Sequence, residues 1–337
     1  MGTDRHSSEA SCRATIGSTH VAAVMLALAV IGCGAGGMGA GQQVPHGEQW
    51  GVYSLDLETQ QTTLVYGSSD EIGGSALALN AAGDTLAFAR RIGGPGDDRY
   101  EIATVRTDGS GFTRLTNDAV MDVYPTWSPS GSMIAFLSMR SPTLKIYLVD
   151  ADGSNERLLY DPGAGEQAGD PSWVGHTVAF TRGFSIWTMA DDGKGAKQLT
   201  HPPNAGKWGN APLPAGDFDP RTSPDGLRIV FERMVDTTAK NGGYDLFVVN
   251  VDGSGETRLT STGWAQGLAT YSNSGKQILW VVAAINGQGK YRMYIMDATG
   301  ANSRDATPAY FPPDFLCRAA VFAKDDRSIY FVGQWWQ

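Results

Sequence analysis

The stretch that decides the fold is residues 124–200, which read YPTWSPSGSMIAFLSMRSPTLKIYLVDADGSNERLLYDPGAGEQAGDPSWVGHTVAFTRGFSIWTMADDGKGAKQLT. It contains two copies of one pattern. Each copy has a Trp before a turn (Trp127, Trp173), an apolar strand near a Phe, a second strand that runs into an Asp-Gly turn, and a short closing strand. The pattern predicts a four-stranded unit, which cannot bury both of its faces without similar neighbours.

The same pattern recurs along the rest of the chain. An aromatic residue of the second strand returns every 44 to 51 residues, at Phe88, Phe136, Phe180, Phe231, Trp280 and Phe331. The first copy is only a back half and the last copy only a front half. We therefore predict an all-β, six-bladed β-propeller of four-stranded antiparallel blades over residues 50–337. Val52–Tyr66 would complete the blade that begins at Arg318–Val332, which would close the ring and remove exposed sheet edges.

Two pairs of segments carry a family resemblance. They are TWSPSGSMIAF with IYLVDADGSNERLL, and TSPDGLRIVFERM with DLFVVNVDGSGETRLT. These segments resemble the WD40-like (PD40) propeller repeats of the TolB family, over roughly Trp50 to the C terminus. The resemblance implies a propeller that binds proteins in the bacterial cell envelope. We expect no counterpart before Trp50 of the α/β domain that precedes the propeller in TolB.

The N-terminal region has the pattern of a secretion signal. Val21–Ile31 is an apolar run that is too short to span a membrane as a helix and is typical of a signal peptide. It runs into Val30-Ile31-Gly32-Cys33, which is similar to a bacterial lipobox. We predict a lipoprotein signal at residues 1–32, lipid attachment at Cys33, and a flexible glycine-rich tether over residues 33–49. The alternative is an ordinary signal peptide that is cleaved near Ala40. Both place the mature protein outside the cytoplasm, on the periplasmic side.

The charge and the cysteine content of the chain limit the kinds of partner and cross-link that we expect. The chain of 337 residues has a net charge of −9 and a pI of about 5.0, which disfavours nucleic acid as a partner because the basic face that it requires is missing. Of three cysteines, Cys12 would be removed, Cys33 would carry lipid and Cys317 would be left alone, so no disulfide is expected in the mature chain. We expect a monomer whose one link to the membrane is its lipid anchor.

The longest loops are predicted on one rim of the propeller, and they are acidic and aromatic. The pattern Asp-x-x-Pro-x-Trp-Ser-Pro is complete at Asp122 and partial at Asp217, where Thr222 stands in place of the Trp. Those two carboxylates could contact a ligand or could instead fix the start of the inner strand. Loop 201–220 is the best candidate for a partner-specific insertion, with a surface loop of no special role as the alternative. The predicted binding residues are Asp122, Tyr124, Asp170, Trp208, Asp217, Asp219, Trp264 and Asp314.

Catalytic motifs are absent from the sequence. There is no G-x-S-x-G nucleophile motif, and His46, His176 and His201 are too dispersed for a metal triad. The Asp-Gly turns begin like EF-hand loops but lack the later glutamate, so we interpret them as hairpins. The sequence favours a non-catalytic module for an envelope protein or peptide, without a cofactor, although the channel could hold a cation such as calcium. The alternatives are a hydrolase or lyase that acts on a glycan or lactone through channel carboxylates, and a purely structural envelope protein.

Overall fold

The computed structural model describes residues 44–45, 48–94, 97–118, 120–238, 242–285 and 288–335, without the side chains of 74–75 and 284–290. The secondary structure of this part of the chain consists of 24 β-strands. Within it, no helix has the length and apolarity needed to cross a membrane. The strands form six sheets of four strands, as the repeat predicts.

Five blades are built from consecutive strands that run outward from the central channel. Every neighbouring pair is antiparallel, as expected for strands joined by short turns. Blade 1 consists of β3 (Ile72–Leu79), β4 (Thr85–Arg91), β5 (Tyr100–Arg106) and β6 (Thr113–Arg114). Blade 2 consists of β7 (Asp122–Trp127), β8 (Met133–Ser138), β9 (Lys145–Asp150) and β10 (Arg157–Tyr160). Blade 3 consists of β11 (Ala168–Val174), β12 (Thr177–Arg182), β13 (Ser185–Ala190) and β14 (Lys197–Gln198).

Blades 4 and 5 repeat this arrangement with longer second and third strands. Their strands are β15 (Asp217–Thr222), β16 (Arg228–Asp236), β17 (Gly243–Asn250) and β18 (Thr257–Arg258), followed by β19 (Ala265–Tyr271), β20 (Gln277–Ile285), β21 (Gln288–Asp297) and β22 (Arg304–Asp305).

Blade 6 joins the two ends of the described chain. Its order is β23 (Phe315–Phe322), β24 (Ser328–Trp335), β1 (Trp50–Asp56) and β2 (Thr62–Ser68). β1 pairs antiparallel with β24 over its whole length, from Trp50 opposite Gln334 to Asp56 opposite Ser328. The predicted closure of the ring by a split blade is therefore confirmed.

The aromatic residues that mark the repeat form the centre of the packing between blades. Each lies on the second strand of its blade, and each is at most 1% exposed. Burying a side chain of this size contributes about 1.5–3 kcal/mol. The six positions are Phe88, Phe136, Phe180, Phe231, Trp280 and Phe331. The period found in the sequence is thus the period of the hydrophobic core.

The Asp-Gly turns are hairpins between the third and fourth strands of the blades. Gly153 and Gly193 have φ of 87° and 81°, a left-handed conformation that glycine adopts without steric cost. In these turns an aspartate oxygen accepts hydrogen bonds from within the hairpin, as Asp152 Oδ1 does from Ser154 N at 2.9 Å and Ser154 Oγ at 2.6 Å. These contacts agree with the hairpin interpretation.

The hairpin glycines also allow close contact between neighbouring blades. Gly193 of blade 3 faces the carbonyl oxygen of Leu159 in blade 2 so closely that an added Cβ would clash with it. Gly109 has the same relation to Val65, whose carbonyl oxygen lies 2.5 Å from the position of such a Cβ. A small residue in each hairpin therefore lets the outer strand of the preceding blade approach.

A pair of glycines in one hairpin tests this contact. Gly193 and Gly195 both have positive φ, but a Cβ at Gly195 would meet nothing within 4 Å. Both alanine variants bear the cost of the left-handed backbone, about 1 kcal/mol, and only Gly193→Ala adds the clash. We expect Gly193→Ala to lower the melting temperature by several degrees more than Gly195→Ala, measured by circular dichroism. Equal melting temperatures would contradict the proposed contact between blades.

Candidate functional site

Two predicted aspartates meet where inner strands bulge near the long-loop rim, the rim formed by the loops between blades. The pairing of β11 with β12 shifts between Gly169 and Ser172, and β15 has the equivalent shift. Asp170 and Asp219 lie in these bulges with φ of 48° and 49°. A left-handed conformation of a non-glycine residue is strained, but Tyr124 and Leu268 have it in the equivalent bulges of blades 2 and 5, so here it belongs to the repeat.

A chain of three buried carboxyl groups connects blades 3, 4 and 5. Asp170 Oδ2 accepts a hydrogen bond from the backbone N–H of Asp219 at 3.4 Å. Glu232, from β16, extends to the next blade, where its Oε2 accepts from the backbone N–H of Leu268 at 3.1 Å. We call Asp170, Asp219 and Glu232 the carboxyl triad, and the end of the channel where they lie the channel mouth.

Burial raises the pKa values of the whole triad. It raises the pKa of Asp170 and of Asp219 well above the usual range, and the nearby negative charges of Asp219 and Glu232, respectively, add to the effect. Burial, followed by the charge of Asp170, raises the pKa of Glu232 to about 8. The positive charge of Arg221 lowers all three pKa values, but less than burial raises them. At neutral pH Glu232 therefore keeps its proton unless a cation replaces it.

Several polar atoms of the channel mouth have no hydrogen-bond partner among the described residues. They are Oδ1 of Asp170, Oδ1 of Asp219 and the hydroxyl of Tyr244, whose pKa is raised by burial and then by the nearby charges of Glu232 and Asp219. A buried polar atom without a partner costs about 1–3 kcal/mol. The channel mouth thus has the chemistry to accept a cation or a hydrogen-bond donor.

Glu232 is a member of the site that the sequence analysis missed. Its carboxyl occupies the space beside Gly267 on β19, where any added Cβ would clash with Glu232 Oε2. The available signal was a pair of charged residues, Glu232 and Arg233, between the buried residues Phe231 and Met234 of β16. Because the space is provided by a glycine 35 residues further along the chain, the strand alone did not reveal the contact.

Loop 201–216 folds against the same end of the propeller. Its Ala211 and Leu213 belong to one apolar cluster with Phe218, Tyr244 and Tyr291, residues at the long-loop ends of strands in blades 4 and 5. Backbone N–H groups of Asn210 and Ala211 also bond to the carbonyl oxygen of Thr237. The apolar side chains of the loop are therefore packed against the propeller, while Trp208 is 54% exposed.

Asp122 and Asp217 are fully buried and lie between blades, away from the triad. Asp217 receives two hydrogen bonds from Arg233, at 2.5 and 2.8 Å. Asp122 Oδ2 bonds to Arg140 Nη2 at 3.1 Å, and burial raises the pKa of Asp122 to about 7. Both aspartates are therefore paired with an arginine of their own blade, Arg140 or Arg233.

The other predicted residues occupy different parts of the long-loop rim. Tyr124 is buried in the bulge of β7, with φ of 55°. Trp264 is half-buried and packs on Tyr294, with ring centroids 5.8 Å apart, and Asp314 is exposed beside β23. The predicted lipid-attachment residue Cys33 lies outside the described residues.

Comparison with known proteins identifies TolB-like relatives. No family model matches the chain. The Tol-Pal system protein TolB of Zymomonas mobilis is 40% identical over 76 residues, which cover 22% of this chain and 16% of that protein. An uncharacterised protein of Agrobacterium fabrum is 29% identical over 148 residues, 40% of this chain and 48% of that protein. The matches thus cover less than half the length of these relatives.

A solved structure supports the same fold. The structure of a TolB-type protein from Agrobacterium tumefaciens superimposes with a TM-score of 0.66 and 17% identity, and the match covers 87% of this chain and 100% of the other. At this identity the likeness establishes the fold. The described chain therefore has a TolB-like six-bladed propeller fold.

The triad predicts how stability depends on pH. The native state keeps the Glu232 proton up to a pH of about 8, whereas the unfolded state releases it near 4.5, so the native state binds more protons between these values. Its contribution to stability is complete below pH 4.5 and is lost as the pH rises through 8. In metal-free buffer we expect the melting temperature to fall from pH 5 to pH 8.5. Glu232→Gln should reduce this slope and melt several degrees higher at pH 8.

The control for this measurement is Asp314→Asn, which removes an exposed carboxyl of the rim. It should leave the pH profile of melting unchanged. A Glu232→Gln profile that is parallel to wild type would show that Glu232 is not the titrating group.

Proposed function

We propose that the chain is a cell-envelope binding module whose channel mouth receives a positively charged segment of a protein or peptide partner. The observation that carries this proposal is the carboxyl triad, where two acid oxygens and a phenol have no hydrogen-bond partner in the part of the chain that the structure describes. A lysine ammonium group has three N–H donors and a positive charge, so it could bond to these acceptors and replace the protons held by the triad.

The shape of the site favours a thin side chain. Asp219 and Glu232 each keep 8% of their surface exposed, while loop 201–216 packs over neighbouring residues. A lysine side chain is an unbranched stem with a compact charge, whereas arginine ends in a wide planar fork. We therefore propose lysine or a free N-terminal amine as the inserted group. Exposed Trp208, half-buried Trp264 and Asp314 would contact the surrounding partner surface, with Tyr124, Asp122 and Asp217 supporting the rim from within.

The similarity to TolB supports a protein partner in the envelope. The relative from Zymomonas mobilis is named as a component of a Tol-Pal system. The lipobox-like sequence at Cys33 further supports a lipid-anchored protein on the periplasmic side of the membrane. On this proposal the anchor keeps a monomeric propeller near membrane proteins, and the acidic channel mouth selects basic segments among them.

Affinity capture with charge-neutral variants tests this function. The variant Asp170→Asn, Asp219→Asn, Glu232→Gln keeps the volume of each side chain and removes the charges, so it should fold at least as well as wild type at neutral pH. We expect wild type to recover an envelope protein from detergent-solubilised cells, and the variant to bind the recovered protein about tenfold more weakly or worse, a loss of about 1.4 kcal/mol. Binding should also weaken as salt increases.

The matched control is Glu58→Gln, because it removes an exposed carboxyl from the turn between β1 and β2, outside both the triad and the proposed contact surface. Equal binding of the recovered protein by wild type and by the triad variant would refute the channel mouth as the binding site. Partner segments without Lys or a free amine would refute the proposed chemistry.

A second candidate function rests on the raised pKa of Glu232. A carboxyl that stays protonated at neutral pH can serve as a general acid, and Asp170 or Asp219 could serve as the matching base. The protein would then be a hydrolase or lyase that acts on an envelope glycan or lactone. Turnover by the purified protein that disappears in both Asp219→Asn and Glu232→Gln would favour this candidate over the binding module.

A further inference from the structure

Arg221 is a charged residue of an inner strand that the repeat does not explain. In every blade, one inner-strand residue pairs with the residue just before the aromatic residue that marks the repeat. In blade 4 this residue is Arg221, which lies opposite Val230. The equivalent residues of the other five blades are uncharged; they are Ala78, Thr126, Ser172, Thr270 and Val321. The fold therefore does not require a charge at this position.

Arg221 lies on the same face of blade 4 as Glu232. Residues directly opposite each other in an antiparallel pair share a face, and so do residues two apart along a strand. Arg221 thus shares a face with Val230, and Val230 shares it with Glu232, which bonds to the backbone of blade 5. Arg221 is partly exposed, and its positive charge lowers the pKa of all three acids of the triad. The guanidinium group therefore lies beside the triad at the channel mouth.

Arg221 makes no ion pair with the triad or with any other residue in the described ranges. Its guanidinium group donates one hydrogen bond there, from Nη1 to the carbonyl oxygen of Pro220 at 2.8 Å. By contrast, arginines on second strands pair with acids, as Arg233 does with Asp217. A guanidinium group has five N–H donors. Most donors of Arg221 are therefore available to an acceptor that enters the channel.

The channel mouth thus offers acceptors at the triad and donors at Arg221. Among the described residues, Oδ1 of Asp170, Oδ1 of Asp219 and the hydroxyl of Tyr244 have no hydrogen-bond partner. Each of these side chains is at most 8% exposed. An ammonium group has three N–H donors, the same number as these atoms. A ligand that satisfies both sides must carry an ammonium group with an oxygen acceptor next to it.

This requirement separates an N-terminal amine from the amine of a lysine side chain. At a polypeptide N terminus, only the α-carbon separates the ammonium nitrogen from the first peptide carbonyl, so both groups reach the site together. The lysine amine lies at the end of a long flexible stem, far from its own carbonyl. A lysine would bring a second positive charge close to Arg221 without an acceptor for it, which is unfavourable.

We propose that the channel mouth binds a free polypeptide N terminus, with its α-ammonium group at the carboxyl triad and its first peptide carbonyl on Arg221. This inference rests on the proposed function and narrows it, because it selects one of the two amines named there. Arg221 is then the residue that determines specificity. A partner with an acylated N terminus would be excluded.

Short peptides test this inference with the wild-type protein. Tetraglycine amide has a free α-amine, acetyl-Gly-Lys-Gly amide has only a lysine amine, and acetyl-tetraglycine amide has neither. Titrations followed by nuclear magnetic resonance can measure weak binding. We expect tetraglycine amide to bind about fivefold more tightly than the lysine peptide, because a hydrogen bond to a charged group adds to its affinity. The peptide without an amine should not bind.

The variant Arg221→Thr removes the proposed donor with little risk to the fold. Threonine is the residue that blades 2 and 5 have at the equivalent position, so the variant should melt close to wild type. It should bind tetraglycine amide about fivefold more weakly, because the carbonyl loses its donor. It should bind the lysine peptide at least as tightly as wild type does, because a nearby positive charge has been removed.

The outcomes distinguish this inference from the proposed function. Equal affinities of wild type for the two amine peptides, or an equal loss of both in Arg221→Thr, would overturn the inference and leave the proposed function standing. Absence of binding of either amine peptide to wild type would overturn both. Glu58→Gln is the matched control and should bind both peptides as wild type does.

Discussion

The pairing of β1 with β24 is the interaction on which the rest of the structure depends. The five other blades are made of consecutive strands, so each could form its own sheet without the chain ends meeting. Blade 6 cannot, because its two outer strands come from the start of the described chain. An open ring would leave the edge of β24 unpaired and one face of blades 1 and 6 without a neighbour, which would expose part of the core.

Closure also determines what the channel can hold. Blades 3, 4 and 5 are held so that the carboxyl groups of Asp170 and Asp219, on inner strands, and Glu232, on β16, are buried close together. Burying three acids with little compensating charge is unfavourable, and the packing of the closed ring must provide the free energy for it. On our proposal, a rigid scaffold that bears this cost can accept a cationic group at the channel mouth.

The sequence revealed the repeat far better than it revealed the site. Phe88, Phe136 and the other marker residues recur with the period of the blades, so the number of blades and the split closure could be predicted. Asp170 and Asp219 were predicted as rim acids, but their contact depends on bulges that the sequence does not show. Glu232 could not be found without knowing that Gly267 of the next blade faces it, because such a contact depends on how the blades pack against each other.

Removal of β1 and β2 tests most directly the claim that closure holds the propeller together. A chain that begins at residue 69 should be compared with one that begins at residue 44, by thermal unfolding followed by circular dichroism and by tryptophan fluorescence. We predict that the longer chain unfolds in one cooperative transition and that the shorter chain has none. A shorter chain that still unfolds cooperatively near the melting temperature of the longer one would contradict the account.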